Sequence, residues 1–301
     1  MEAKPFLKWA GGKSQLLEQI NTFFPQELMK GTIKKYIEPF VGGGAIFLYL
    51  AACYPIEEFF ISDINPELVL AYQTIKHNLK DLISVLSDIQ KQYLSLNEEE
   101  RKEYYYQIRL QFNSQRYQIN FDKYSQKWAE RTAQIIFLNR TCFNGLFRVN
   151  SKGYFNVPIG KYKNPTICDS ENLKAVSQVL QKTHIRHGDY TLCEDFVDEY
   201  SLVYFDPPYR PISKTANFTS YSQKTFDDSE QLRLRDFFTL LDKKGAKLIL
   251  SNSDPKNEDL SDNFFEIAYE NYRIKKVKAK RNINCNSLKR KHIDELLITN
   301  Y

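Results

Sequence analysis

Four short apolar segments each stop on small or acidic residues, and that shared ending constrains the fold more than any other feature. They are KYIEPFVGGG (35–44), EFFISDINP (58–66), LVYFDPPY (202–209) and AKLILSNS (246–253). Helical patterns lie between several of them. Ala45 to Ala52 follows the glycines, and Leu234, Phe237, Phe238 and Leu241 share one helical face ahead of a strand at Lys247–Leu250. DELLITNY (294–301) reads as a further strand. Strands alternating with helices imply an α/β sheet that binds ligands at the carboxyl ends of its strands.

The middle of the chain breaks this rhythm. Leu68, Tyr72, Ile75, Leu79 and Leu82 recur at helical spacing, so one long helix is predicted from Pro66 to about Ile89. A polar, tyrosine-rich stretch follows, then a second helical pattern ending in QIIFLNR (134–140). Residues 141–165, TCFNGLFRVNSKGYFNVPIGKYKNP, are rich in turn formers, aromatics and bases, with a hairpin predicted around Ser151–Gly153. Residues 66–168 are therefore expected to form an inserted, mostly helical lobe with a β-hairpin, and 1–65 with 169–301 the sheet domain.

Length and composition fit this picture: 301 residues suffice for one large or two modest domains, and 42% hydrophobic with 26% charged residues suits a soluble globular protein. The 14% aromatic share suits a core or rings that stack on bases, and a net charge of +5 permits a polyanionic partner without requiring one. Five cysteines with no C-x-x-C spacing argue against a disulfide framework and a zinc site. No apolar leader or membrane-length run is present, so a reducing, cytoplasmic location is expected.

Three constellations carry potential chemistry. Asp206 ends a strand where parallel sheets place ligands, and Pro207 and Pro208 stiffen the turn after it; a rigid surface turn is the plainer account. EPFVGGG between strand and helix lets backbone approach a ligand, but it is neither G-x-G-x-x-G nor a P-loop, and tight packing explains three glycines equally well. Asp63 closes the next strand, roughly 20 residues on, where an acid accepts from ribose hydroxyls; it is also placed to cap the helix starting near Pro66. FLKWAGGKSQLL (6–17) sets Lys13 and a glycine pair at a helix start, suited to an anion or to nothing more than an ordinary loop.

FLKWAGGK, EPFVGGG, SDIN, FNGLFRVNSKGYFNVPIGKYKNP, VYFDPPY and DELLITNY occur in that order. Together they resemble the Dam-type DNA adenine-N6 methyltransferases, the α group of the D12 class, from about residue 5 to the end of the chain. The resemblance implies a Rossmann-like, S-adenosylmethionine-dependent sheet with an inserted target-recognition domain. It implies methylation of a flipped-out adenine in duplex DNA, with S-adenosylhomocysteine as product and no metal. By the same resemblance Trp9, Lys13, Phe40, Gly42, Asp63, Asp189 and Tyr190 hold the cofactor, and Asp206 touches it. Tyr190 departs mildly from the family's usual Phe and brings a hydroxyl that needs a partner.

Asp206, Pro207, Pro208 and Tyr209 match the catalytic tetrapeptide. The adenine amine is a poor nucleophile because its lone pair is delocalised. The Asp206 carboxylate and the Pro207 carbonyl, accepting its hydrogens, would favour a tetrahedral nitrogen, while Tyr209 stacks on the purine. The family reads GATC. Lys8 corresponds to the residue at the first base pair, and Asn144, Leu146, Arg148 and Pro158 to hairpin positions facing the rest. Phe218 and Tyr221 fall in the loop after the active site. The basic stretch Arg273–Lys291 suits phosphate or a solvated β-edge equally. Methylation of RNA or of a protein glutamine, and a DNA-binding module without catalysis, stand as alternatives, and a nicotinamide oxidoreductase lacks its fingerprint loop. Action beside a restriction nuclease and solitary action are both open.

Overall fold

The computed structural model describes residues 2–9, 11–150, 152–210, 226–280 and 292–301. In chain order come two short helices, α1 (Leu17–Asn21) and α2 (Gln26–Met29), then β1 (Lys35–Glu38), α3 (Ala45–Cys53) and β2 (Glu58–Asp63). Helices α4 (Pro66–His77), α5 (Leu79–Ser95), α6 (Glu98–Gln115), α7 (Lys127–Thr141) and α8 (Ser170–Leu180) follow. The remainder is β3 (Thr183–His187), β4 (Ser201–Phe205), α9 (Asp228–Lys243), β5 (Lys247–Ser253), α10 (Phe264–Ala268), β6 (Arg273–Lys280) and β7 (His292–Thr299). None of the described helices is long and apolar enough to cross a membrane.

The chain divides into two compact units, each assembled from separated stretches. Met1–Gly12, Gly42–Ala52 and Asn65–His187 make the first; Lys13–Val41, Cys53–Ile64 and Gly188–Tyr301 make the second.

Among the described residues, six of the seven strands belong to the second unit, in the order β2-β1-β4-β5-β7-β6. The first four run parallel, and β7 pairs antiparallel with both β5 and β6. Every residue of β4 is buried, as a central parallel strand covered on both faces demands. The order turns outward in both directions from the β1–β4 pair, and such a reversal opens a crevice at the strands' carboxyl ends. Phe40 follows β1 and Asp206 follows β4 there. The predicted face of α9 is buried on this sheet, with Leu234, Phe237, Phe238 and Leu241 against Val203, Phe205, Leu248 and Leu250. Burying each such side chain contributes about 1.5–3 kcal/mol. Arg273–Lys280, the first part of the basic stretch, is the strand at the end of this order; residues 281–291 lie outside the described residues.

In the first unit α7 lies at the centre, packed on α4, α5 and α6, with Ala133, Phe137 and Leu138 fully buried. Its buried Arg131 is neutralised by Glu67 and donates to the Phe112 carbonyl. The single helix expected from Pro66 to about Ile89 is two helices. Asn78 leaves helical backbone (φ −139°, ψ 44°) between α4 and α5. Leu68, Tyr72, Ile75 and Leu82 are nevertheless all buried, so the apolar ladder passes through the break and hides it.

The hairpin predicted at Ser151–Gly153 is present as isolated antiparallel bridges, Val149 with Phe155 and Cys142 with Ile159, and Ser151 itself lies outside the described residues. Asn150 N donates to Tyr154 O at 2.9 Å and Gly153 N to Asn150 O at 2.7 Å. Glycine suits Gly153's place in the turn because its φ is +77°, in the left-handed region that other residues rarely adopt.

Candidate active site and recognition face

Asp206 stands at the carboxyl end of β4 in a dense polar cluster. Lys13 Nζ donates to its two carboxylate oxygens at 2.7 and 2.8 Å, and Ser251 Oγ, from β5, donates to Oδ1 at 2.9 Å. The same ammonium donates to Tyr209 OH at 2.8 Å, and that hydroxyl donates to Glu295 Oε2 at 2.8 Å. Glu295 arrives on β7, opposite Ser253 of β5, because the antiparallel strand brings its start to the carboxyl ends of the parallel ones. Burial, reinforced by the charges of Asp206 and Glu295, pushes the Tyr209 phenol well above its ordinary value, so it stays protonated and able to donate. The diproline turn is also anchored. Gln231 Nε2 donates to the Pro208 carbonyl at 3.2 Å, and Arg210 is held by Asp228 and Asp262.

Further along the same carboxyl edge are Asp63, Phe40, Asp189 and Tyr190. Asp63 ends β2, and its carbonyl accepts from Gly188 N at 3.1 Å, which fastens the HGDY segment. The cap of α4 is Asn65, accepting from Glu67 N and Leu68 N, so Asp63 does not have that duty. Phe40 and Tyr190 lie ring to ring at 5.3 Å. Asp189 takes both terminal nitrogens of Arg233 at 2.8 and 2.9 Å and both donors of Thr191. Burial works to raise its carboxyl, but the bonds from Arg233 and Thr191 outweigh it and hold it below the ordinary value. The Tyr190 hydroxyl is buried with no hydrogen-bond partner among the described residues.

The other expected residues belong to the first unit. Trp9 stacks on Phe147 at 5.5 Å, and Gly42, at φ +48°, has no room for a Cβ, which would come 2.8 Å from the indole. Lys8 and the hairpin are joined by a residue the sequence reading did not single out, Asn139. Fully buried at the end of α7, it accepts from Lys8 N at 2.8 Å and donates to Lys8 O and Gly145 O, both at 2.9 Å. The following backbone alternates strictly. Phe147, Phe155 and Val157 are buried, while Arg148, Asn156 and Pro158 are exposed and Leu146 is half-buried. Leu146, Arg148 and Pro158 therefore point away from the core, and Asn144, exposed at φ 59°, precedes them. Phe143 beside it is 55% exposed. Tyr221, with Phe218, lies outside the described residues.

Ser251 and Glu295 were the other unassigned members. Both sit in quoted segments, AKLILSNS and DELLITNY, but only tertiary pairing shows that they meet Asp206 and Tyr209.

A parallel sheet that reverses order beside a carboxylate, with an aromatic pair and acids along the same edge, is the α/β class of protein that takes ligands at the carboxyl ends of its strands. Residues 9–283 match the family described as D12 class N6 adenine-specific DNA methyltransferase, and the chain belongs to that family. It is 53% identical to the Type II methyltransferase M.MjaIII of Methanocaldococcus jannaschii, over all of both chains. It is 40% identical to the Type II methyltransferase M1.LlaDCHI of Lactococcus lactis subsp. cremoris, covering 99% of this chain and 95% of that one. To the DNA adenine methylase of Haemophilus influenzae it is 34% identical, covering 99% and 93%. The protein is an adenine-specific DNA methyltransferase.

Proposed function

We propose that the enzyme methylates N6 of an adenine turned out of duplex DNA, within GATC, and that S-adenosylmethionine is the donor. The observation that carries the reading is the Asp206 carboxylate, held at the switch point of the sheet and already bonded to an ammonium, as a site for an amine should be. The Pro208 carbonyl is engaged by Gln231, which leaves the Pro207 carbonyl as the second acceptor for the amine. These acceptors draw the amine's hydrogens and free its lone pair, and Tyr209 supplies a ring for the purine face. Fixed dipoles do this work without a covalent intermediate.

The residues fit the cofactor. Phe40 and Tyr190 form an aromatic pair beside Asp189, and Tyr190 keeps a buried hydroxyl without a partner among the described residues. Such a hydroxyl and such rings suit a purine, and Asp63 suits ribose hydroxyls. When bound, S-adenosylmethionine supplies an electrophilic methyl group.

A paired adenine cannot reach such an acceptor set, so the base must leave the stack at a cost of a few kcal/mol. We assign residues 66–168 to target recognition. Arg148 and Lys8 suit the O6 and N7 acceptors of guanine, Leu146 and Pro158 suit the thymine methyl, and the exposed Phe143 ring suits stacking on a base. Two relatives named Type II methyltransferases favour a place in restriction–modification.

The test is methyl transfer to duplexes carrying GATC and each single-base variant. Preference for GATC supports the assignment, and preference for another sequence overturns it. Wild-type protein should also brighten 2-aminopurine placed at the target adenine; no change in fluorescence would remove base flipping from the reading.

A further inference from the structure

Under the proposed reading the target amine must bond to Asp206, yet Lys13 already donates to both oxygens of that carboxylate. The two cannot use the same lone pairs in the same direction. Lys13 is 4% exposed, so its ammonium cannot retreat into water without crossing protein. Its displacement from Asp206 is easiest where another acceptor lies close at hand, because moving a buried charge away from acceptors is strongly disfavoured. Glu295 Oε2 lies 4.0 Å from the same nitrogen. Between them stands Tyr209 OH, which accepts from Lys13 and donates to Glu295. A movement of about 1 Å would turn the 4.0 Å contact into a direct hydrogen bond.

We propose that Glu295 is a positioning residue for methyl transfer: it orients Tyr209 through its hydroxyl and receives the Lys13 ammonium when the target amine takes Asp206. This rests on the amine-site reading of Asp206. Lys13 then serves as a stand-in cation that keeps the carboxylate correctly turned while no substrate is present. Glu295 makes the exchange nearly neutral in charge, since one ammonium passes between two carboxylates.

Glu295→Gln tests the charge without removing the hydrogen bond, because an amide oxygen still accepts from Tyr209. Single-turnover methyl transfer at saturating S-adenosylmethionine and saturating duplex should slow by roughly ten- to hundredfold. Cofactor affinity, read by calorimetric titration, should stay within about twofold, as the ordinary scatter for a residue outside the contact. In a Lys13→Met background the added Glu295→Gln should cost nothing further, since no ammonium then needs an acceptor. Glu295→Asp, which keeps the charge, should recover part of the rate. A wild-type rate in Glu295→Gln overturns the proposal. So do losses that multiply in the double variant, or a cofactor affinity that falls in step with the rate. Asp206→Ala run alongside separates the two levels. If it is inactive while Glu295→Gln is normal, only the role of Glu295 fails; if it is active, the amine-site reading fails.

Discussion

At the end of β4 the functional side chains hold one another, whereas in the first unit the backbone is held and the side chains are left facing outward. Asp206, Lys13, Tyr209, Glu295 and Ser251 form one hydrogen-bonded chain. Around the hairpin the fastening is of another kind. Asn139 binds the backbone of Lys8 and Gly145, Asn113 clamps both backbone groups of Phe155 at 2.8 and 3.0 Å, and Tyr105 donates to Val157 O at 2.9 Å. Arg148 and Pro158 stand exposed above them. Under the proposed reading the difference follows from the tasks. Chemistry on an amine gains from dipoles fixed before substrate arrives. Reading base edges requires side chains that exchange water for donors and acceptors, so rigidity is better placed in the chain that carries them.

The sharpest way to break this contrast is Asp206→Ala. Removing the acceptor should lower the rate constant of methyl transfer by about 10²–10³-fold or more, with melting temperature and DNA affinity close to wild type. A large loss of stability instead would mean that the cluster serves the fold before the chemistry.

Asn139→Ala attacks the other kind of fastening. It strips three backbone groups, one of them buried, of their partner and should destabilise the protein by about 1–3 kcal/mol in urea titration. It should also blunt discrimination among single-base variants of the site. Full stability with full discrimination would show that the backbone needs no such anchor.

Much of this contrast is legible in the sequence, and what is not has a physical cause. An acid after an apolar run marks Asp206 because strand periodicity and turn chemistry are local. The face of α9 is legible for the same reason, and so is the hairpin around Ser151–Gly153 in outline. Asn139 and Glu295 were missed because their partners, Lys8 at |i−j| of 131 and Tyr209 at |i−j| of 86, meet them only through tertiary structure. The break at Asn78 escaped because the apolar ladder keeps its spacing across it. Lys13 was legible as a cation at a loop, but not as the partner of Asp206.

Arg148→Ala should sharpen the comparison from the recognition side. Its guanidinium is exposed, bonded to Asn156 Oδ1 at 3.1 Å, so stability should change by no more than about 0.5 kcal/mol. Discrimination at one base pair should fall by about 1–3 kcal/mol, measured as the ratio of methylation rates. Equal loss on every sequence would make Arg148 a phosphate contact.

The smallest effect concerns Asp189 and Arg233, a half-exposed pair that resembles the locked cluster in geometry but not in burial. The Asp189 carboxyl lies below its ordinary value in the folded state, so its contribution is present above the unfolded value near pH 4 and is lost as pH falls through the lowered one. Melting temperatures of wild type and Arg233→Ala should therefore differ slightly at neutral pH and converge in acid. A difference that persists in acid well below the ordinary carboxyl range would assign the effect to packing on Tyr190.

The interleaving of the two units reaches into inheritance. The chain passes from one to the other at residues 12–13, 41–42, 52–53, 64–65 and 187–188, so no single cut in the gene yields either unit whole. Under the proposed reading the instructions for one DNA word are also written twice, at Lys8 and again between Asn144 and Pro158. A recombination event that imported a new hairpin from a relative would leave the old lysine behind. New specificities should then arise by scattered point changes more readily than by exchange of a cassette.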